Sequence, residues 1–256
     1  MTVRELYAFF DERIPKSLSC EWDNDGLMCC PDGNAPVRKI LVALDVTAAV
    51  AEEAINGGYD LILSHHPLVF RPLKAVNGED PVSKKVIRLL TSGISVMSFH
   101  TRLDAVLGGV NDVLAQKLGL ADVTPFAGED GQAIGRIGTL PAPMALEDFA
   151  KKVKIALGAP ALFVSDAGLE VSRVALLGGS GGDDVLFARL AGADTYLSGE
   201  LGHHHLTDAP ENGMNLIAGG HFFTENPVCE RLCELAREAD PTVTVTVTDS
   251  NAVKVI

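Results

Sequence analysis

The stretch Tyr59-Asp-Leu-Ile-Leu-Ser-His-His-Pro67 is an apolar run that ends in two adjacent histidines. A run of this length, rich in Leu and Ile, predicts a buried strand, and the proline marks where that strand ends. Neighbouring residues on a regular strand point to opposite faces of the sheet. His65 and His66 can therefore reach one site only if the chain bends there. The alternative is a turn whose two histidines are simply solvated.

Strands and helices alternate around this stretch. Lys39-Ile-Leu-Val-Ala-Leu-Asp45 predicts a buried strand, and Thr47 is a suitable N-cap for a helix over 48–56 that Gly57 ends. A strand, a helix and a strand joined by short loops favour a parallel pair with a right-handed crossover. A third strand, over 94–99, runs directly into His100.

The second half of the chain repeats this order. The corresponding pieces are residues 39–45 with 171–177, Leu63-Ser-His-His66 with Leu197-Ser-Gly-Glu200, and the His-x-x-x-carboxylate pairs His100/Asp104 and His221/Glu225. We therefore predict an α/β protein of two similar lobes that arose by pseudo-duplication, with sheets flanked by helices. The composition changes to Gly, Pro and Ala between Pro125 and Pro143. We place residues 1–125 in lobe 1, completed by 221–256, and residues 126–220 in lobe 2. Gly135–Leu140 is predicted as an edge strand.

The composition limits the classes of function. With 256 residues, 47% hydrophobic and 21% charged, the chain can bury a sizeable core. A net charge of −13 argues against nucleic acid or an anionic membrane as a partner, whereas a nucleotide can still bind through a metal. No apolar stretch approaches the ~20 residues of a membrane span. Five cysteines without a Cys-x-x-Cys pair predict reduced thiols and a cytoplasmic location.

The residues at the predicted strand ends have the chemistry of a metal site. Ligands collect beyond the carboxyl ends of parallel strands, where all seven histidines are expected. The candidate ligands are His65, His66, Asp104, His221 and Glu225. Such a mixed set suits Zn, Fe, Mn, Co or Ni and is too rich in nitrogen for a typical Ca or Mg site. It could hold two ions with a carboxylate between them. The alternative is that these histidines only cap helices or satisfy the core.

Three further segments keep more than one interpretation. His203-His-His205 could supply ligands, an acid/base group or a solvated turn. Gly178-Gly-Ser-Gly-Gly182 could bind an anion at a helix start or be a flexible turn. The acidic turn Glu21-Trp-Asp-Asn-Asp25 is interpreted as helix caps or a solvated turn.

Several short motifs occur together in a characteristic order. They are Glu21-Trp-Asp-Asn-Asp-Gly-Leu27, Ser64-His-His-Pro67, His100-Thr-x-x-Asp104, Gly135-Arg-Ile-Gly138, Gly178-Gly-Ser-Gly181, Gly199-Glu-Leu-Gly-His-His204 and Gly220-His-Phe-Phe-Thr-Glu225. Nearly from end to end, the chain resembles the GTP cyclohydrolase 1 type 2 homologues, also called the Ngg-interacting-factor-like family.

This resemblance implies two divalent transition-metal ions per subunit, held by the five candidate ligands, with Glu225 as the bridge. It also implies a homohexameric toroid whose sites face an inner cavity. His100 matches a position beside the metals, and Glu200, His203 and His204 match a further family stretch. We therefore expect His100 and His204 to be the catalytic acid/base candidates. His205 has no clear counterpart in the family, and Asp25 stands where a small apolar residue is usual. Both departures leave the metal ligands untouched and affect the expected contacts with a substrate.

Two functions follow from the resemblance. The first is a metal-dependent hydrolase that acts on a nucleotide such as GTP, with cyclohydrolase-like ring opening. The second is a non-catalytic metal-binding scaffold or metal-delivery protein. A coordination position left to water favours the enzyme, and metals saturated by protein ligands favour the scaffold.

Overall fold

The computed structural model describes residues 1–129 and 131–256. Its helices are α1 (Val3–Arg13), α2 (Ala48–Asn56), α3 (Pro81–Thr91), α4 (Thr101–Ala105), α5 (Val110–Lys117), α6 (Leu146–Leu157), α7 (Val185–Leu190), α8 (His203–Asp208), α9 (His221–Glu225) and α10 (Val228–Ala239). Its strands are β1 (Gly26–Cys29), β2 (Lys39–Ala43), β3 (Leu61–Ser64), β4 (Ser95–Ser98), β5 (Ala121–Phe126), β6 (Gly135–Met144), β7 (Phe163–Ser165), β8 (Val171–Ser180), β9 (Thr195–Glu200), β10 (Asn215–Ala218) and β11 (Thr244–Val247). Two sheets flanked by helices confirm the predicted α/β class. None of the described helices is long and apolar enough to cross a membrane.

The chain forms two compact units. Unit 1 contains Met1–Val106 and Val228–Val253, and unit 2 contains Leu107–Pro227 with Lys254–Ile256. The predicted lobes differ from these units because residues 107–125 and 221–227 lie in unit 2. The reason is packing: α5 and α9 rest on β8, and β5 pairs with β6.

The sheet of unit 1 has the order β1-β4-β3-β2-β11. β11, β2, β3 and β4 are parallel, and β1 is an antiparallel edge strand. Helices α2 and α3 place Val50, Val86 and Leu89 in one core cluster with Ile62 and Val96 of the sheet. Because parallel strands end at the same edge of a sheet, the residues after β2, β3 and β4 are brought together.

The sheet of unit 2 has the order β5-β6-β8-β9-β10-β7, in which β8, β9 and β10 are parallel. Successive residues of these strands enter different clusters, Leu176 and Leu197 on one face and Leu177 and Tyr196 on the other. The prediction of an edge strand at Gly135–Leu140 was wrong, because β5 pairs with the outer side of β6. β5 is largely exposed and contains a proline, so its residues lack the apolar pattern that would predict a strand.

The strand registers support the internal duplication and correct its alignment in two places. The predicted equivalence of residues 39–45 with 171–177 is shifted by two residues, because Ala43 pairs with Ser64 and Leu177 pairs with Ser198. The aligned rows are Ala43–Ser64–Ser98 in unit 1 and Leu177–Ser198–Ala218 in unit 2. These rows make Thr101 the counterpart of His221. The predicted equivalence of His100 with His221 is therefore shifted by one residue, because hydrogen-bond register depends on strand pairing and not on motif spacing.

Candidate metal centre

The two histidines after β3 lie at a bend of the chain. The Ser64 hydroxyl donates to the carbonyl of His66 at 2.9 Å, and Pro67 follows. The rings of His65 and His66 then lie with their centroids 4.9 Å apart. The sequence predicted that His65 and His66 can share a site only if the chain bends there, and the chain does bend at these residues.

His65 has one defined tautomer. Its ring is fully buried, and Nδ1 lies 2.9 Å from the carbonyl oxygen of Phe99, which can only accept. Nδ1 therefore carries the proton, and Nε2 presents a lone pair. This nitrogen lies 3.7 Å from Oδ1 of Asp104, whose side chain is 10% exposed. An imidazole nitrogen that faces a buried carboxylate is a donor set that fits a transition metal.

The other two imidazoles of unit 1 are oriented by carboxylates. Nδ1 of His66 lies 2.7 Å from Asp45, and Nδ1 of His100 lies 2.8 Å from Asp23. Metal-binding histidines commonly donate their second ring nitrogen in this way. One ring nitrogen from each of His65, His66 and His100 lies within 4.8 Å of the others. Unit 1 thus gathers three imidazoles that could hold a metal ion.

Asp23 is a part of this site that the sequence analysis missed. Its carboxylate accepts hydrogen bonds from the His100 ring and from the backbone and hydroxyl of Thr101. Burial works to raise the pKa of Asp23, but the hydrogen bonds from His100 and Thr101 outweigh it and lower the pKa to about 2. The interpretation of this segment as a solvated turn was wrong for Asp23, which caps the first N–H of α4 and orients His100 as an ionised carboxylate.

Asp25 holds the backbone at His100 in place. It accepts from Lys16 at 2.6 Å, from the backbone N–H of His100 at 3.1 Å and from Arg102 at 3.2 Å. The side chains of Asp25 and Arg102 are fully buried, and Asp11 supplies the guanidinium with a second carboxylate at 2.6 Å. The charge at position 25, where the resemblance expects a small apolar residue, is therefore part of a buried ion-pair network.

Unit 2 contributes a histidine and a carboxylate from α9. His221 is the first residue of this helix, and Glu225 lies one turn later on the same face. Nε2 of His221 is 3.0 Å from Glu225, and Nδ1 is 3.3 Å from the more exposed Glu200. The Glu225 side chain is 6% exposed. The sequence predicted this pair, and the structure brings its two members into contact.

The glycine-rich turn after β8 makes space for Glu225. Gly179 has φ +69°, and a Cβ on it would overlap the Glu225 carboxylate. A Cβ on Gly178 would lie 3.1 Å from Cγ of Glu225. The backbone N–H of Gly179 donates to the hydroxyl of Thr224. Two glycines of this turn therefore allow the close approach of a candidate ligand.

The remaining predicted histidines lie on α8. His204 is exposed, and its ring centroid is 3.9 Å from that of His205. Burial and the neighbouring His204 lower the pKa of His205. Within residues 1–129 and 131–256, neither His203 nor His204 belongs to a group that could hold a metal. The catalytic role of His204 stays a prediction.

Comparisons with known proteins agree with these features. A family model described as Duf34/NIF3 (NGG1p interacting factor 3) matches residues 1–254. A Clostridium perfringens protein named GTP cyclohydrolase 1 type 2 homolog is 34% identical over 244 residues, which are 93% of this chain and 92% of the relative. Protein NIF3 homolog of Schizosaccharomyces pombe is 35% identical over 84% of this chain and 83% of its own length.

Solved structures share the whole fold. The Staphylococcus aureus hypothetical protein SA1388 aligns with a TM-score of 0.89 at 25% identity and covers 100% of this chain and 99% of its own. Reduced HcgD from Methanocaldococcus jannaschii aligns with a TM-score of 0.83 at 28% identity and covers 96% and 97%. The chain therefore belongs to the Duf34/NIF3 (NGG1p interacting factor 3) family.

Proposed function

We propose that this protein is a metal-dependent hydrolase that opens the ring of a nucleotide such as GTP. The observation that carries the proposal is that His100, the acid/base candidate, lies beside the two candidate ligands His65 and His66. Each ring is oriented through Nδ1 by an oxygen acceptor, and one nitrogen of each lies within 4.8 Å of the others. The names of the bacterial relatives agree with this class of reaction.

We propose that five side chains hold two divalent ions of Zn, Fe, Mn, Co or Ni. The ligands are His65, His66, Asp104, His221 and Glu225, with Glu225 as the bridge. Two observations support this ligand set. Each unit places an imidazole nitrogen next to a buried carboxylate, and the chain belongs to the Duf34/NIF3 family. Ions bound in this way supply Lewis-acid catalysis and a water nucleophile at neutral pH.

The reaction also needs a proton donor for the departing nitrogen. His100 is one candidate, because Asp23 orients its ring beside the candidate ligands. His204 is the other candidate for the proton donor, because it lies in the stretch 199–204 that resembles the family. A general acid of this kind contributes typically 10²–10⁴-fold in rate.

The test measures metal content and turnover on the same samples. Wild-type protein purified without chelator is analysed for metals and then incubated with GTP and other nucleotides. His100→Gln or His204→Ala should keep the metals and lose about 100-fold or more in rate. Asp208→Asn, an exposed position on the same helix as His204 and outside the family stretch, is the control and should retain the wild-type rate. If the metal-loaded wild type converts no nucleotide, the scaffold or metal-delivery function becomes the better interpretation.

Assembly and location belong to the same proposal. We expect a homohexameric toroid, which the family resemblance supports. We also expect a cytoplasmic location, which the five free cysteine thiols support. Light scattering should give about six times the chain mass of 27.0 kDa. A monomer at every concentration would contradict the toroid, and cell fractionation checks the location.

A further inference from the structure

Two exposed aromatic rings stand beside the imidazoles of unit 1. Trp22 is 61% exposed and Phe70 is 44% exposed. Their rings meet edge to face with centroids 6.1 Å apart, and each ring lies about 6 Å from the His100 ring. Large apolar side chains that stay exposed next to candidate ligands offer flat faces to a bound molecule.

The two segments that carry these rings are tied together. The side-chain amide of Asn24 donates to the carbonyl of Val69 at 2.5 Å. Asp23, next to Trp22 in the chain, is held by His100 and Thr101. The aromatic pair is therefore anchored on both sides, which lowers the entropic cost of binding a ligand against it.

A basic cleft continues from this pair. Its volume of about 690 Å³ is within the range of about 300–1,000 Å³ that is typical of ligand pockets, and Phe70 is among its lining residues. Arg71, Lys74 and Lys85 also line it, whereas the chain as a whole carries a net charge of −13. Asp80 is the acid among the described lining residues, and its carboxylate caps α3 by accepting from the N–H of Ser83. The cleft thus combines an aromatic border with the exposed cations Arg71 and Lys74.

From these contacts we infer that unit 1 binds the phosphate ester of a planar heteroaromatic base. The base stacks on the exposed face of Trp22 and contacts the Phe70 ring edge to face, and the phosphate lies in the cleft against Arg71 and Lys74. The inference rests on the proposed function, which takes a nucleotide as substrate, and names the residues of unit 1 that hold the base and the phosphate. Stacking and charge-assisted hydrogen bonds are the interactions that such a ligand would make.

Trp22 is the only tryptophan of the chain, so its fluorescence reports directly on this surface. The full-length, metal-loaded protein is titrated with GMP, guanosine and inorganic phosphate. GMP should quench the fluorescence saturably, and guanosine should bind about tenfold more weakly because it lacks the phosphate. Phe70→Ala should weaken GMP about tenfold, and Phe70→Tyr, which retains a flat ring, should restore binding to within about twofold.

Matched variants separate the cleft from general charge and surface effects. Arg71→Ala and Lys74→Ala should each weaken GMP about fivefold and leave guanosine unchanged. Lys84→Ala is the control for charge, because this exposed lysine precedes Lys85 on α3 and does not line the cleft. Phe163→Ala is the aromatic control, since Phe163 is 72% exposed in unit 2. Both controls should leave binding of GMP unchanged.

The inference is overturned if GMP leaves the fluorescence of Trp22 unchanged, if guanosine binds as tightly as GMP, or if Phe70→Ala has no more effect than Phe163→Ala. Turnover of GTP with a wild-type KM in Phe70→Ala would also overturn it and leave the proposed hydrolase intact. Binding of GMP that depends on Phe70 and Arg71, in a metal-loaded protein without turnover, supports the inference and rejects the hydrolase.

Discussion

Units 1 and 2 carry the same three parallel strands, β2-β3-β4 and β8-β9-β10, but different side chains follow them. By strand register, Asp45 of unit 1 corresponds to Gly179 of unit 2. Asp45 orients His66, whereas Gly179 removes a Cβ from the path of Glu225. In unit 1 this position therefore orients an imidazole, and in unit 2 it leaves the space that a carboxylate occupies.

The helices after the third strands differ as well. α4 begins at Thr101 with His100 as its N-cap, whereas α9 begins with His221 itself. One residue on an α-helix is a rotation of about 100°. The shared spacing His-x-x-x-carboxylate thus conceals two geometries. The comparison teaches that a duplicated backbone can present unlike donors when the histidine lies one residue earlier or later relative to the start of the helix.

The largest expected effect is on the proposed bridge. Glu225→Ala should lower the metal content from about two ions to less than about one per chain, because both ions lose a ligand. His65→Ala should remove about one ion. Elemental analysis after gel filtration measures both, with the exposed Glu234→Ala as control. Loss of a single ion in Glu225→Ala would reject the bridge, and unchanged metal content would reject the assignment.

The glycine turn gives the second test. Gly179 and Gly168 both have positive φ, +69° and +73°, but a Cβ on Gly168 meets no atom within 4 Å. Alanine at either position carries about 1 kcal/mol of backbone strain. Only Gly179→Ala should also displace Glu225 and weaken metal affinity about 100-fold. Equal affinities of the two variants in a chelator competition would show that the turn does not shape the site.

The orienting carboxylates should differ between the units. Asp45 lies 2.7 Å from Nδ1 of His66 with a side chain that is 41% exposed, whereas Glu200 lies 3.3 Å from Nδ1 of His221 with a side chain that is 60% exposed. Asp45→Asn should weaken metal binding about tenfold. Glu200→Gln should weaken it less than about twofold, because solvent screens an exposed pair. The same competition assay measures both, and the reverse order would contradict the comparison.

The smallest expected effect is the pH dependence of metal-free protein. The pKa of Asp23 falls from 3.8 to about 2 on folding, so its ionised form stabilises unit 1 above pH ~4. That stability is lost as the pH falls from about 4 to about 2. Asp23→Asn should lower the free energy of unfolding by about 1 kcal/mol at pH 6, with solvent screening included, and by nothing measurable at pH 2. Urea unfolding at both pH values measures it, and a constant difference would reject the shift.

Local sequence determined much of this protein. The apolar runs at 39–45 and 59–64 became β2 and β3, Thr47 caps α2, and the histidines follow strands as expected. These features depend on hydrophobic pattern and cap chemistry over a few residues, which a single sequence displays. The bend at His65 was also readable, because two adjacent side chains on a strand cannot otherwise share a face.

Tertiary structure alone decided the rest. Asp23 and Asp25 acquire their roles from His100 and Arg102, which lie 77 residues further along the chain. The interior position of β6 depends on β5, whose exposed sequence has no strand pattern. The shift of one residue between His100 and His221 depends on strand register. In each case a long-range pairing sets the outcome, and no local pattern encodes which distant partner a residue will meet.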